Sequence, residues 1–210
     1  MDYLEARWSK LWHDLGAPMP VGSYEKLVSA YDEPHRRYHT MLHISNSLEM
    51  LDWHHFKAHD PLSVELAIWL HDFHYDVRSS ENEERSALFA SEMLSGSGLH
   101  ARAKEVGDLI RSTDHSETFL EGDFALLSDI DLSILGTKRE VYNLYASEIR
   151  SEYAHVPESL YCSKRAEILE SFMRRKNIYH KASFRDQYQA KALSNMRAEV
   201  LYLKLDLVSL

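Results

Sequence analysis

The chain has 210 residues and carries 24 Lys and Arg against 33 Asp and Glu, a formal charge of −9 that gives no electrostatic footprint for duplex nucleic acid. Hydrophobic content of 44% and charged content of 27% argue against disorder, and the length suits one sizeable core in a single domain spanning 1–210. Seven Gly and five Pro are few for this length, which favours long helices with short connections over strands and turns.

The lone Cys162 excludes an intramolecular disulfide, points to a reducing compartment and reads as a small apolar filler on a helix. The start Met1-Asp2-Tyr3-Leu4-Glu5 lacks the basic and apolar run of a signal peptide, and no stretch reaches transmembrane length. The expectation is a cytoplasmic protein with no membrane partner.

In chain order, Leu4, Trp8, Leu11, Trp12 and Leu15 fall at helical spacing before Gly16, predicting a first amphipathic helix over 2–15. Ser23 is placed to cap a short second helix that Pro34 ends. A third runs from His39 to about Trp53, with His39 and His43 one turn apart on one face. Pro61 after Asp60 starts a helix ending in His71-Asp72. Ser80 with Glu83 forms a candidate capping box for the next helix, which Gly96-Ser97-Gly98 closes.

A sixth helix covers about 99–112, followed by a polar loop from Thr113 to Gly122. The apolar segment 124–132, interrupted by Asp129 and Asp131, fits a buried helix or a short strand, and its helical surroundings favour helix. Helices of about 137–153, 158–175 and 184–207 complete an all-α bundle of about nine or ten helices.

Chemistry concentrates where the run Leu66 to Leu70 delivers His71 and Asp72 side by side, with Asp76 four residues on. An imidazole and a carboxylate buried beside Trp69 and Leu70 need compensation, which a divalent cation provides. His39 and His43 form an i,i+4 pair able to chelate a metal from one helix face, but no Glu follows His39, so the metalloprotease pattern HExxH fails.

A His on one helix, a His-Asp pair ending the next long helix and an Asp in a later apolar segment give the order H…HD…D. This order resembles the HD-domain superfamily of metal-dependent phosphohydrolases. The matching stretches are Tyr38 to Ile44, Leu70 to Asp76 and Leu127 to Leu132. The flanks Glu33 to His39 and Asn82 to Ala87, with Arg174 to Tyr179 in the tail, look like a small bacterial subgroup of predicted HD phosphohydrolases. The metal core then covers about 38–135, with the helices of 137–207 packed on it.

The resemblance implies His43, His71, Asp72 and Asp131 as metal ligands, His43 being preferred over His39 because it begins its helical run. Asp129 stays open as the alternative to Asp131: on a helix the two acids point about 200° apart, so only one faces a site directly. Two imidazoles and two carboxylates suit Mn²⁺, Fe²⁺, Zn²⁺ or Mg²⁺.

Around this set, Asp76 is a candidate to orient water or move a proton, one turn beyond Asp72 if the helix continues. Glu84, as a further catalytic candidate, and Arg85 begin the next helix and could reach the mouth of the site. Arg36 is a candidate phosphate clamp, His39 and Arg85 are further candidates for the substrate phosphate, and His115 is a candidate for phosphate or a second metal. Each also has a structural alternative: a helix-end carboxylate, a solvated first turn, a polar loop residue.

The implied function is hydrolysis of a small phosphate compound, a nucleotide among the candidates, by a metal-activated water. Two alternatives accompany it: a di-iron oxygenase drawing extra histidines from His74, His100 and His115, and a non-catalytic helical module that senses a nucleotide. Oligomeric state is open, with a homodimer one option.

Overall fold

A computed structural model describes residues 2–209, with side chains described as far as residue 205. Met1, part of the start read above, lies outside the described residues, as does Leu210. Among the described residues the chain is all-α, without strands.

The first half holds α1 (Tyr3–Asp14), α2 (Ser23–Tyr31), α3 (Met41–His54), α4 (Pro61–Leu70), α5 (Asn82–Gly96) and α6 (His100–Arg111). The second holds α7 (Gly122–Asp131), α8 (Arg139–Glu152), α9 (Glu158–Arg174), the single turn α10 (Ala182–Phe184) and α11 (Ala190–Ser209). A π-helical turn, Arg185–Gln189, joins α10 to α11, so these three read as one bent rod and the bundle as ten helices. The bend lies against the turn Leu132–Gly136, where a Cβ at Gly136 would meet Cβ of Tyr188 at 2.5 Å; only glycine admits that approach.

The bundle is organised around α4. Its N-cap, Asp60, accepts from the backbone N–H of Leu62 and Ser63, and Pro61 takes the first position, where a missing N–H costs nothing. Seven of its ten residues are buried, Val64 and Leu66 to Leu70 among them. A helix apolar on every side belongs in the centre, and burying each large side chain contributes about 1.5–3 kcal/mol. Trp8 of α1 meets Trp69 edge-on at 5.3 Å and Trp12 at 5.7 Å, the geometry aromatic quadrupoles favour.

Helices α5 and α6 pack as a hairpin turned at Gly98, whose φ of +82° suits glycine. In the second half α11 lies along α9. Core residues from Trp8 to Leu203 form one continuous buried cluster.

Two expected caps differ from the reading of the sequence. Gly22, not Ser23, precedes α2, and the Ser23 hydroxyl accepts from Trp8 Nε1 at 2.9 Å instead. The Ser80 and Glu83 box does not form: Glu81 occupies the cap position of α5 without a side-chain bond. No helix among the described residues is long and apolar enough to cross a membrane.

Candidate metal centre

Helix α4 stops at Leu70. His71 still donates its backbone N–H to Ala67 O, but Phe73 N returns to Leu70 O at 3.1 Å, a tighter turn that swings Asp72 inward beside His71. The helix therefore ends with its partially negative C-terminus at the two side chains, where positive charge is favoured. His43 comes from the first turn of α3, whose N-cap Thr40 accepts from Leu42 N. Asp131 is the last residue of α7.

These four side chains meet. His43 Nε2 lies 3.2 Å from His71 Nε2 and 3.2 Å from Asp131 Oδ1. His71 Nε2 lies 3.1 Å from Asp72 Oδ2, and the remaining imidazole-to-carboxylate separations, His43 to Asp72 and His71 to Asp131, are both 3.6 Å. Donors held about 2.1 Å from one ion stand about 3.0 Å apart in octahedral and about 3.4 Å apart in tetrahedral coordination. The observed separations match that range. His43, His71 and Asp131 form a cluster able to coordinate a divalent metal, and Asp72 is a fourth donor beside it.

The tautomer also fits. His71 Nδ1 is 3.0 Å from the carbonyl of Ile68, which can only accept, so Nδ1 carries the proton and the Nε2 lone pair faces the cluster in the neutral ring. Burial works against charge on His71, but Asp72 and Asp131 outweigh it and raise its proton affinity well above the ordinary. Burial likewise pushes both carboxylates up, and the surrounding imidazoles reverse this, holding Asp72 and Asp131 well below the usual range. The carboxylates thus favour a cation between them.

A second layer orients this set. His115 Nε2 meets Asp131 Oδ2 at 2.7 Å, and its Nδ1 lies 3.3 Å from Ser128 Oγ. His115 is in the left-handed region at φ +54°, with its carbonyl accepting from Arg175 Nη2 at 2.6 Å. On the other side, His39 Nδ1 is 2.8 Å from Glu152 Oε2, and its ring stacks on Tyr75 at 4.1 Å between centroids. The Tyr75 hydroxyl donates to the same Glu152 oxygen. Glu152 Oε1 accepts the backbone N–H of Arg37, Tyr38 and His39 at 2.8, 2.9 and 3.0 Å. Burial would raise the Glu152 carboxyl, and His39 together with these donors takes it down to about 2.

Glu152 is absent from the sequence reading, yet a signal for it exists. Tyr142, Tyr145, Ile149 and Glu152 are spaced three, four and three residues apart on α8, so the acid occupies a position in the apolar stripe. Of Asp129 and Asp131 in α7, Asp131 turns to the imidazoles. Asp129 is fully buried and accepts from His180 N and Lys181 N at 2.7 and 2.6 Å; burial still pushes it up to about 7.

Other candidates do not converge. The Arg36 guanidinium is buried and spent on the carbonyls of His39, Asp72 and Phe73 and on Glu33, so it shapes the turn after α4 and is not available as a phosphate clamp. Asp76 is not one helical turn from Asp72, because α4 has already ended. It accepts from Arg78 N, and its own N–H meets Asn82 Oδ1. Glu84 pairs with Arg111 at 2.6 Å on the surface of α5. Arg85 lines a cavity of about 470 Å³ with Asp76 and Arg78, and none of His43, His71, Asp72 or Asp131 is in its wall. Of His74, His100 and His115, only His115 is hydrogen-bonded to the cluster among the described residues. No family model, curated protein or solved structure matches the chain.

Proposed function

We propose that the chain is a metal-dependent phosphohydrolase of the HD-domain type, cleaving a phosphate ester or anhydride of a small molecule, with nucleotides among the candidates. The observation that supports this reading is the cluster of His43, His71 and Asp131 with Asp72 beside it at the meeting of three helices, where the two imidazole nitrogens lie 3.2 Å apart and 3.1 to 3.6 Å from each carboxylate. These residues would hold Mn²⁺, Mg²⁺, Fe²⁺ or Zn²⁺. Such an ion, when bound, supplies a Lewis acid for a phosphoryl oxygen and lowers the pKa of a coordinated water from about 15.7 towards about 7.

Hydrolysis consumes one water, whose oxygen bonds to phosphorus as the P–O bond to the leaving group breaks and the leaving oxygen gains a proton. His39 is the group suited to supply that proton. Glu152 fixes the ring at Nδ1, and Nε2 makes no hydrogen bond among the described residues. Burial opposes a charge on His39, but Asp72 and Glu152 outweigh it and raise its proton affinity. Asp72 keeps Oδ1 free of protein hydrogen-bond partners among the described residues and can orient the attacking water.

The test couples elemental analysis of the purified protein to a phosphate-release panel of nucleotides and sugar phosphates with each of the four metals. A divalent ion stoichiometric with the chain and metal-dependent release are expected. Release that survives complete metal stripping removes the reading.

A further inference from the structure

Two cavities beside the cluster adjoin. The inner one, about 160 Å³, has Asp131, His115 and His39 in its wall with Leu132, Leu135 and Phe172. The outer one, about 630 Å³, shares His39, Tyr145, Arg165 and Ile168 with it and widens between α8 and α9 against Tyr153 and Leu160. The inner space suits a phosphoryl group at the cluster. The outer is of a size that holds small organic ligands, roughly 300–1,000 Å³.

The side formed by α8 and α9 is apolar and aromatic, the opposite side carries Ser79, Ser80 and Asn82, and the two cations of the lining are paired. Arg165 Nε donates to Glu199 at 2.9 Å, and its Nη2 meets the Tyr145 hydroxyl at 3.2 Å. Lys164 pairs with Glu167 at 2.9 Å. Glu83 and Asp114 add two carboxylates to the lining. A second or third phosphate would therefore meet negative charge and no unpaired Lys or Arg among the described lining residues. Arg78 and Arg85 stand in a separate cavity with Asp76.

We infer, on the basis of the hydrolase reading above, that the substrate is a phosphate monoester whose single phosphoryl group sits at the cluster while an uncharged aromatic or apolar body fills the outer cavity. Burial of that body against α8 and α9 drives binding, and its lack of charge suits a lining whose cations are paired and whose carboxylates would repel a further phosphate.

The experiment compares kcat/KM of the metal-loaded full chain for 2-(1-naphthyl)ethyl phosphate, glycerol 2-phosphate and fructose 1,6-bisphosphate, all of them alkyl esters. The naphthyl ester is expected to lead both others by tenfold or more. Leu160→Glu and Ile168→Glu, at half-exposed positions, are expected to cut the ratio of naphthyl to glycerol turnover at least fivefold. Hydrolysis led by either of the other two compounds, or a ratio untouched by both variants, overturns the inference and leaves the hydrolase reading standing. Should none of the three compounds turn over, calorimetry with phenylphosphonate and methylphosphonate decides the inference alone. Tenfold tighter binding of the phenyl compound supports the cleft, and equal binding overturns it.

Discussion

Glu152 takes the Nδ1 position of His39 at 2.8 Å although the two residues are 113 positions apart in sequence. The same carboxylate gathers the backbone N–H groups of residues 37 to 39, so one buried acid fixes both the approach to α3 and the ring that faces the cleft. Such a contact makes Glu152 a positioning residue for His39.

Replacing Glu152 with Gln keeps an acceptor for the backbone but removes the charge that orients His39. Phosphate release by Glu152→Gln is expected to fall about 10²-fold, with metal content unchanged and the alkaline limb of the pH profile moved to lower pH. Metal loss equal to that of a cluster variant would assign Glu152 to the cluster instead. Glu152→Ala also orphans three N–H groups and is expected to cost about 3 kcal/mol or more in chemical unfolding.

His71→Ala and Asp72→Ala each remove a donor from the cluster. Elemental analysis should find their metal content at background while far-UV circular dichroism retains the helical signal. Full metal content in both variants would show that the ion binds elsewhere.

His115 acts on Asp131 rather than on the cluster directly. His115→Asn tolerates the left-handed backbone but shortens the reach to Asp131 Oδ2, and competition with a fluorescent chelator should show metal affinity about 10–100-fold weaker. An unchanged affinity would reduce the 2.7 Å contact to a loop tether.

The cap of α4 makes stability depend on acid. Burial alone raises the Asp60 carboxyl, but the Ser63 backbone and hydroxyl donors and Arg102 lower it below its ordinary 3.8. A carboxyl lowered in the folded state contributes stability that is fully present above about 3.8 and lost as pH falls through the folded value. Asp60→Ala should cost about 1 kcal/mol at neutral pH in urea unfolding, and the gap from the parent protein should narrow as pH falls below 3.8. A gap constant down to pH 2 would locate the effect outside this carboxylate.

The sequence already contains the signals for α4 and its end pair: Asp60-Pro61 marks the start, and an unbroken apolar run followed by His71-Asp72 marks a buried helix with an expensive tip. The order of His43, the pair and Asp131 is legible through the resemblance of the H…HD…D pattern rather than through periodicity. Whether the helix continues past His71-Asp72 to Asp76 is not legible, because no Gly or Pro follows Leu70 and the bend depends on Arg36 drawing on the carbonyls of Asp72 and Phe73. That bend removes Asp76 from the site. The stripe of α8 marks Glu152 as buried, but its partners, like the π turn, depend on packing between distant helices, which local patterns do not encode.

The later part of the chain braces the earlier part. Asp129 accepts from His180 and Lys181, the Tyr179 hydroxyl donates to Leu132 O, and Arg175 holds the carbonyl of His115. During synthesis from the N-terminus, His43, His71 and Asp72 leave the ribosome well before residues 152 to 181 exist. A nascent chain can therefore present the imidazoles without the scaffold that aims Asp131 and His39, and the centre reaches its final geometry only once residues 152 to 181 have been made and docked.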